Sequence, residues 1–217
     1  MAYSPIRIIP SPLGAAVRDL PYWFVIGGQA VRCFCPYRPT RDVDFGVQDP
    51  RDLEDLLAQL GNTGTVEILE RAPDTVHLLW NEIRVSIFVL EILARHVVDR
   101  RLDVTGILAT KLHAILDRGT RRDFFDLYVT LEHHRLGAAE CLAALRDVYG
   151  PKINEPLLLR ALTWFEDAER EAPLPAEGPK DWEMVKEYFQ TVVAHLLMPP
   201  SAPLEIQARR VDVSDEP

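Results

Sequence analysis

The chain reads as an α+β protein: a mixed sheet with flanking helices, followed by a C-terminal helical bundle. Three observations predict this. Short apolar or alternating runs bounded by Gly, Asn or Pro are confined to the first 90 residues, which is the signature of strands. From about residue 103 onward the apolar spacing becomes helical. Hydrophobic residues make up 47% and charged residues 26% of 217 residues, a composition that lets a chain this long bury roughly 70% of its unfolded surface without disulfides or metal.

The elements follow in order. Ser11-Pro12 opens a helix running towards Leu20, with Ser at the N-cap and Pro at the first position. Tyr22–Ile26 is a buried strand ended by Gly27-Gly28, and Gln29–Cys35 is a helix. Asp42–Val47 alternates polar and apolar, as a strand does. Asp49-Pro50 starts a helix through Leu60. Strands at Thr75–Trp80 and Glu82–Leu90 flank Asn81, which predicts an antiparallel hairpin. Helical periodicity then covers 103–118, 121–134, 137–149, 155–170 and 180–197. The expected organisation is a mixed α/β lobe over 1–98, a helical lobe over 99–198 and a weakly structured Pro-rich tail over 199–217.

Several classes of function are disfavoured at once. No stretch approaches the ~20 apolar residues of a membrane span, and Met1–Leu20 carries three prolines and no long apolar block, unlike a secretory signal. Cys33, Cys35 and Cys141 are odd in number and lack CxxC spacing, which favours reduced thiols in a cytoplasm. His77, His96, His113, His133 and His134 show no zinc spacing. There is no P-loop and no Gly-x-Ser-x-Gly elbow. The net charge of −9 argues against coating nucleic acid by bulk charge. Charge is uneven, however. Residues 95–122 carry seven Lys or Arg against three Asp, while 166–187 carry eight acids against three bases. The basic run could guide a polyanion such as a tRNA end, or could simply be a solvated helix face.

The informative stretch runs from Val25 to Phe45. On a strand, residues two apart share a face, so Asp42 and Asp44 project together, roughly 7 Å apart at the backbone. Two like charges at that distance disfavour each other's ionisation unless a cation lies between them. Mg²⁺ (or Mn²⁺), which takes one or two carboxylates plus phosphate oxygens, is the natural one. Gly27-Gly28, between a strand and a helix, lets backbone N–H groups approach a phosphate. Either feature alone is commonly structural: a turn in one case, a capped or solvated strand end in the other. Together, a phosphate cradle followed by a carboxylate pair equips a site for metal-assisted nucleotidyl or phosphoryl transfer.

The order and spacing carry more than the parts. Gly-Gly, thirteen residues, then Asp-x-Asp-Phe resembles the signature of the polymerase-β-like nucleotidyltransferase superfamily. The intervening Arg38-x-Thr40 resembles the AbiEii-type abortive-infection nucleotidyltransferase toxins. A second block, from Leu108 to Leu127, resembles that family's helical pattern Lys-x-x-Ala-x-x-x-Arg-Gly-x-(Lys/Arg)-(Lys/Arg)-Asp-x-x-Asp-Leu. The residues themselves agree with an active block. Leu108, Leu112, Ile115 and Leu116 form one apolar stripe on a helix, and Lys111 falls inside it. A lysine there either snorkels to water or aims at a buried anion. Arg118 lies along the same edge. Asp123 would be the third residue of the next helix, where the plain reading is a capping box with Thr120.

The resemblance implies a nucleotidyltransferase-like fold and an enzyme that uses a nucleoside triphosphate (NTP) and a divalent metal. Asp42 and Asp44 would hold the metal. The Gly27-Gly28 backbone and Gln29 would receive phosphates, and Arg38 and Lys111 would neutralise triphosphate charge. Thr40, Arg118 and Arg122 complete the nucleotide-facing set. Asp123 is the expected general base. Asp126 is a weaker site residue whose alternative is to brace Arg121 or Arg122. By the same resemblance the acceptor is RNA, including tRNA 3′ ends, or protein, and the biological role is the toxin of a toxin–antitoxin or phage-defence pair with a cognate antitoxin. One departure stands out: Ser86 occupies the place where many superfamily members carry a third carboxylate. Glu82 or Glu91 could substitute for it. The rival readings are a catalytically inactive nucleotide- or partner-binding member, and a small-molecule transferase of the antibiotic-modifying kind.

Overall fold

A computed structural model describes residues 2–40, 42–175 and 177–197. The tail expected over 199–217 lies outside the described residues. Two short helices, α1 (Pro5–Ile8) and α2 (Ser11–Val17), lead into β1 (Phe24–Val25), α3 (Gly27–Arg32), β2 (Val43–Val47) and α4 (Pro50–Thr63). Three strands follow: β3 (Val66–Ala72), β4 (Thr75–Trp80) and β5 (Ile83–Val89). A 3₁₀ turn at Glu91–His96 leads into β6 (Val97–Val98) and β7 (Arg101–Leu102). The rest is helical: α5 (Val104–Asp117), α6 (Arg121–His134), α7 (Ala138–Tyr149), α8 (Glu155–Leu162), α9 (Glu166–Glu169) and α10 (Asp181–Leu197).

The strands form one seven-stranded mixed sheet in the order β3-β4-β5-β2-β1-β7-β6. β2 pairs parallel with β5 and antiparallel with β1, while β3, β4 and β5 form an antiparallel meander. Asn81 and Glu82 take positive φ of 46° and 67° in the β4–β5 turn. A two-residue turn of that hand matches the twist of the strands it joins. Asp99 and Arg100 do the same between β6 and β7, and the Arg100 guanidinium is held 4.6 Å over the Trp23 ring. The join expected at 98/99 falls inside this second turn, so residues from either side of it share one sheet.

Apolar alternation explains the strands and the facing helices. Val43, Phe45 and Val47 of β2 are buried, as are Val85 and Ile87 of β5 and Val76, Leu78 and Trp80 of β4. On α4, Leu53, Leu56 and Leu60 form the buried face. Asp49 caps that helix reciprocally, accepting from the backbone N–H groups of Arg51 (2.7 Å) and Asp52 (3.2 Å) while the Asp52 side chain accepts from the backbone of Asp49. α5 is the axis of the helical half. It packs against α6, α7 and α8 and also reaches α3 and β7, which brings one of its edges to the sheet.

Some expectations are corrected. The helix expected over 155–170 is two, because Thr163–Phe165 leaves the helical path and buries Phe165 against Phe124 and Trp182. The helix expected from Ser11-Pro12 towards Leu20 is α2, which starts at Ser11 with Pro10 at its cap and stops at Val17. Gly27 and Gly28 open α3, and do not merely precede it. Asp42 lies just before β2, not within it. β3 is an additional edge strand whose residues Glu67–Ala72 are exposed. With so little of it buried, no alternating pattern marked it as a strand.

Candidate active site

A cleft of ≈ 350 Å³ opens between the sheet and α5–α6, within the usual size of small-ligand sites. Its sheet-side wall is built from β2, β4 and β5. Because side chains alternate along a strand, burying Val43 and Phe45 turns Asp44 out into the cleft. Asp42 lines the cleft too, with 45% of its side chain exposed, and among the described residues it pairs with the Arg84 Nε at 3.9 Å. Burial raises the pKa of Asp44, and the like charge of Asp42 adds to this. The Lys111 charge and the Ser86 hydroxyl act in the opposite direction. Among the described residues no side-chain cation forms an ion pair with Asp44.

The backbone at the start of α3 fits tightly against this wall. Gly27 has φ +57°, and a Cβ there would meet Asp44 Oδ2 at 2.8 Å. A Cβ on Gly28 would meet the Arg38 guanidinium at 2.9 Å and Thr40 Oγ1 at 3.2 Å. Glycine is required at both positions so that the chain can pass against the site residues.

The opposite wall is wired differently. Lys111, inside the apolar stripe of α5, is buried and aims at anions supplied by the chain itself. Its Nζ lies 2.6 Å from Asp126 Oδ2 and 3.2 Å from Asp123 Oδ1. Asp126 also takes the Arg38 guanidinium on both oxygens (3.0 and 2.9 Å) and the Tyr37 hydroxyl at 2.6 Å. Arg38 Nη1 donates to Thr40 Oγ1 at 2.8 Å. Asp123 accepts from Arg118 Nε (2.8 Å), Arg118 Nη2 (3.1 Å) and the Thr120 hydroxyl (2.6 Å). Burial alone would raise both carboxyls. The Arg118 hydrogen bonds and the Lys111 charge outweigh it at Asp123, the Lys111 and Arg38 charges outweigh it at Asp126, and both are held below the usual carboxylate range. Arg38, Asp126, Lys111, Asp123 and Arg118 thus form a chain of alternating charge.

The cleft gathers Asp42, Asp44, Gly27, Gly28, Arg38, Thr40, Lys111, Arg118, Arg122, Asp123 and Asp126 onto its walls. Arg118, with 55% of its side chain exposed, and the exposed Arg122 stand at its helical side. Gln29 is the exception. It is 0% exposed and faces inward, donating to the Asp42 carbonyl at 3.1 Å and accepting from Arg32 at 3.0 Å. It braces the segment before β2 and has no free face for a phosphate.

Asp123 does not form the capping box. The Thr120 hydroxyl donates to its carboxylate, and no side-chain cap reaches the helix N–H groups. Nor is its geometry that of a general base. Lys111, Arg118 and Thr120 already occupy its lone pairs, and a lowered pKa opposes protonation. Asp126 braces neither Arg121 nor Arg122; Arg121 is held by Glu177 and stacks over Trp182 at 4.5 Å.

Ser86 lies beside Asp44 in the parallel register of β2 and β5, on the cleft wall where a third carboxylate would stand. Neither expected substitute reaches it. Glu82 is in the β4–β5 turn, and Glu91 lines a separate surface groove with Gln48 and Tyr149. The sequence reading missed Tyr37, which holds Asp126 from outside the cleft, and the cleft residues Arg84 and His77. For the last two a signal existed. A two-residue turn at 81–82 pairs residues by counting outward, which sets 79 opposite 84 and 77 opposite 86. Among the described residues no three His, Cys, Asp or Glu side chains converge as a ready metal cluster, so protein ligation of a metal would rest on the Asp42/Asp44 pair. That pair fits a hard cation, because Asp44 is buried beside the like charge of Asp42.

Comparison with known proteins agrees with this architecture. The family model described as "Nucleotidyl transferase AbiEii toxin, Type IV TA system" matches residues 100–198. An uncharacterised protein of Aquifex aeolicus is 26% identical over 184 residues, covering 81% of this chain and 88% of its own. The fold is shared with JHP933 from Helicobacter pylori (TM-score 0.54, 16% identity, 86% of this chain and 89% of that one). It is also shared with a candidate nucleotidyltransferase from H. pylori (TM-score 0.53, 16% identity, 86% and 92%). No described helix is long and apolar enough to cross a membrane. The family match falls on the helices that carry Lys111, Arg118, Asp123 and Asp126, and the sheet beneath them belongs to the fold shared with the two H. pylori proteins, so over residues 100–198 the chain is similar to the AbiEii nucleotidyl transferase toxins.

Proposed function

We propose that the protein transfers a nucleoside monophosphate from an NTP to a hydroxyl of an RNA, such as the 3′ end of a tRNA, or of a protein. The reaction depends on Mg²⁺ or Mn²⁺ and serves the toxin of a toxin–antitoxin or phage-defence pair in the cytoplasm, with a cognate antitoxin as partner. The observation that carries this reading is the facing of two unlike walls across one cleft. An electron-rich Asp42/Asp44 pair looks onto a cation-bearing helical wall. Residues 1–98 supply the first wall and 99–198 most of the second.

In this reading Asp42 and Asp44 hold the cation, which when bound would offset phosphate charge and the charge developing on the leaving group. The Gly27-Gly28 backbone lets the triphosphate approach. Arg118 and Arg122, at the exposed edge, meet the phosphates first. Lys111 and Arg38 supply a buried positive field. Asp126 and Asp123 act as positioning residues, fixing Arg38, Lys111 and Arg118 where the phosphates arrive, since preorganised charge is worth most where water is excluded. Gln29 positions Asp42 through the backbone.

The test is direct. Labelled NTPs, each of the four in turn, are incubated with bulk tRNA and with cell lysate in Mg²⁺ and in Mn²⁺, beside the Asp42→Ala variant. Label on a macromolecule with wild type and none with the variant supports the reading. No labelling by wild type under any of these conditions would falsify it.

A further inference from the structure

Three cleft residues form a row across three strands: Asp44 on β2, Ser86 on β5 and His77 on β4, adjacent by register. His77 Nδ1 lies 2.9 Å from Ser86 Oγ, and Phe88 packs edge-on to the imidazole with ring centres 5.6 Å apart. A hydroxyl oxygen can accept as well as donate, and a neutral imidazole carries one N–H. With Nδ1–H donated to the Ser86 oxygen, the lone pair of the ring stands on Nε2.

Nucleotidyl transfer needs a group to take the proton of the attacking hydroxyl. Asp123 and Asp126 are saturated by cations and hydroxyls, and in the nucleotidyl-transfer reading Asp42 and Asp44 would hold the metal. Ser86 replaces the third carboxylate, and a hydroxyl is no base. On this wall the remaining basic group is the His77 imidazole. We propose that His77 is the proton acceptor, an inference that rests on the nucleotidyl-transfer reading above. The acceptor oxygen bonds to the α-phosphorus as the bond from that phosphorus to the β-bridging oxygen breaks. Pyrophosphate leaves with the electron pair, and the hydroxyl proton passes to Nε2. The imidazolium is held by Nδ1–H donated to Ser86. Water later removes the proton.

The experiment compares wild type, His77→Ala and His77→Gln, using labelled NTPs with bulk tRNA and lysate as acceptors. NTP affinity and Mn²⁺ affinity are measured in parallel on the same proteins. His77→Ala should slow transfer by about 10²-fold or more, leave NTP and Mn²⁺ affinity unchanged, and recover in added imidazole. His77→Gln, which keeps an N–H for Ser86 but has no basic nitrogen, should be equally slow, and it carries the test if the alanine variant does not fold. An active wild type with an equally active His77→Ala overturns the inference alone. So does absence of imidazole rescue, recovery of activity in His77→Gln (a brace), or loss of Mn²⁺ affinity (a metal ligand). A wild type that transfers nothing sinks the nucleotidyl-transfer reading, and the inference goes with it.

Discussion

The cleft holds two pairs of aspartates on facing walls, and the two are wired in opposite ways. On the sheet side, among the described residues, Asp42 pairs with Arg84 at 3.9 Å, and burial together with the Asp42 charge pushes Asp44 towards its neutral form against the opposing Lys111 charge. Asp123 and Asp126 on α6 are buried more deeply, yet stay ionised because Lys111, Arg38 and Arg118 surround them. Burial acts to raise the pKa of Asp44, Asp123 and Asp126 alike, and the charges and donors beside each decide which way it moves. A carboxylate whose partners come from the protein serves the protein, by holding cations in place. A carboxylate left short of positive charge is suited to a ligand that brings it.

The most forceful way to break this contrast is Asp126→Ala. It leaves Arg38 without its bidentate partner and Lys111 with one anion only, so the fold should lose about 3–5 kcal/mol; an unchanged urea midpoint would show that the helical pair is not structural. Gly27→Ala should cost about 1–3 kcal/mol through its positive φ and displace Asp44, read as a lower melting temperature together with weaker metal binding. Mg²⁺ at tenfold its dissociation constant should stabilise the wild type by about 1.4 kcal/mol. In Asp42→Ala that thermal shift should vanish, whereas in Arg122→Ala it should persist.

pH separates the pairs by sign. Asp123 and Asp126 have lowered pKa values in the fold, so their contribution is full above the unfolded value of about 3.9. It drains as pH falls from there through the folded values. Asp44 has a raised pKa. Its contribution is present below the unfolded value and lost as pH rises through the folded one, so at neutral pH its charge burdens the fold. Asp44→Asn should therefore be more stable than wild type at pH 7, with the advantage shrinking on acidification towards pH ~4. Urea melts at the two pH values measure this, and an advantage that grows in acid would reverse the assignment. The smallest effect belongs to Arg84→Ala. An exposed pair at 3.9 Å should change stability by less than ~1 kcal/mol, and a larger loss would mean the strand pair is already compensated.

Legibility followed periodicity and spacing. The β4–β5 hairpin, the Asp-x-Asp strand and the helices carrying Lys111 and Asp123 could all be read because each buries one face and so writes a repeating pattern. β3 could not, since Glu67–Ala72 are exposed and only pairing with β4 makes them a strand. Gln29 was misread because adjacency to Gly28 placed it at the cleft. The turn of α3 rotates it inward, where Asp42 and Arg32 satisfy it. The general-base role expected of Asp123 failed for a similar reason: its rivals for the carboxylate, Lys111 and Arg118, lie 12 and 5 residues away along the chain and meet it only when α5 packs on α6.

The sequence by itself determined which groups exist and which local faces they share: the glycines, the two carboxylate pairs, the lysine within an apolar stripe and the serine in place of an acid. These follow from backbone geometry repeated every two or 3.6 residues. Only the tertiary structure decided which charges are spent on one another. That outcome depends on contacts between Arg38 and Asp126, 88 residues apart, and between β2, β5 and β4. Electrostatic pairing is set by distance in space, and a chain fixes such distances only by folding.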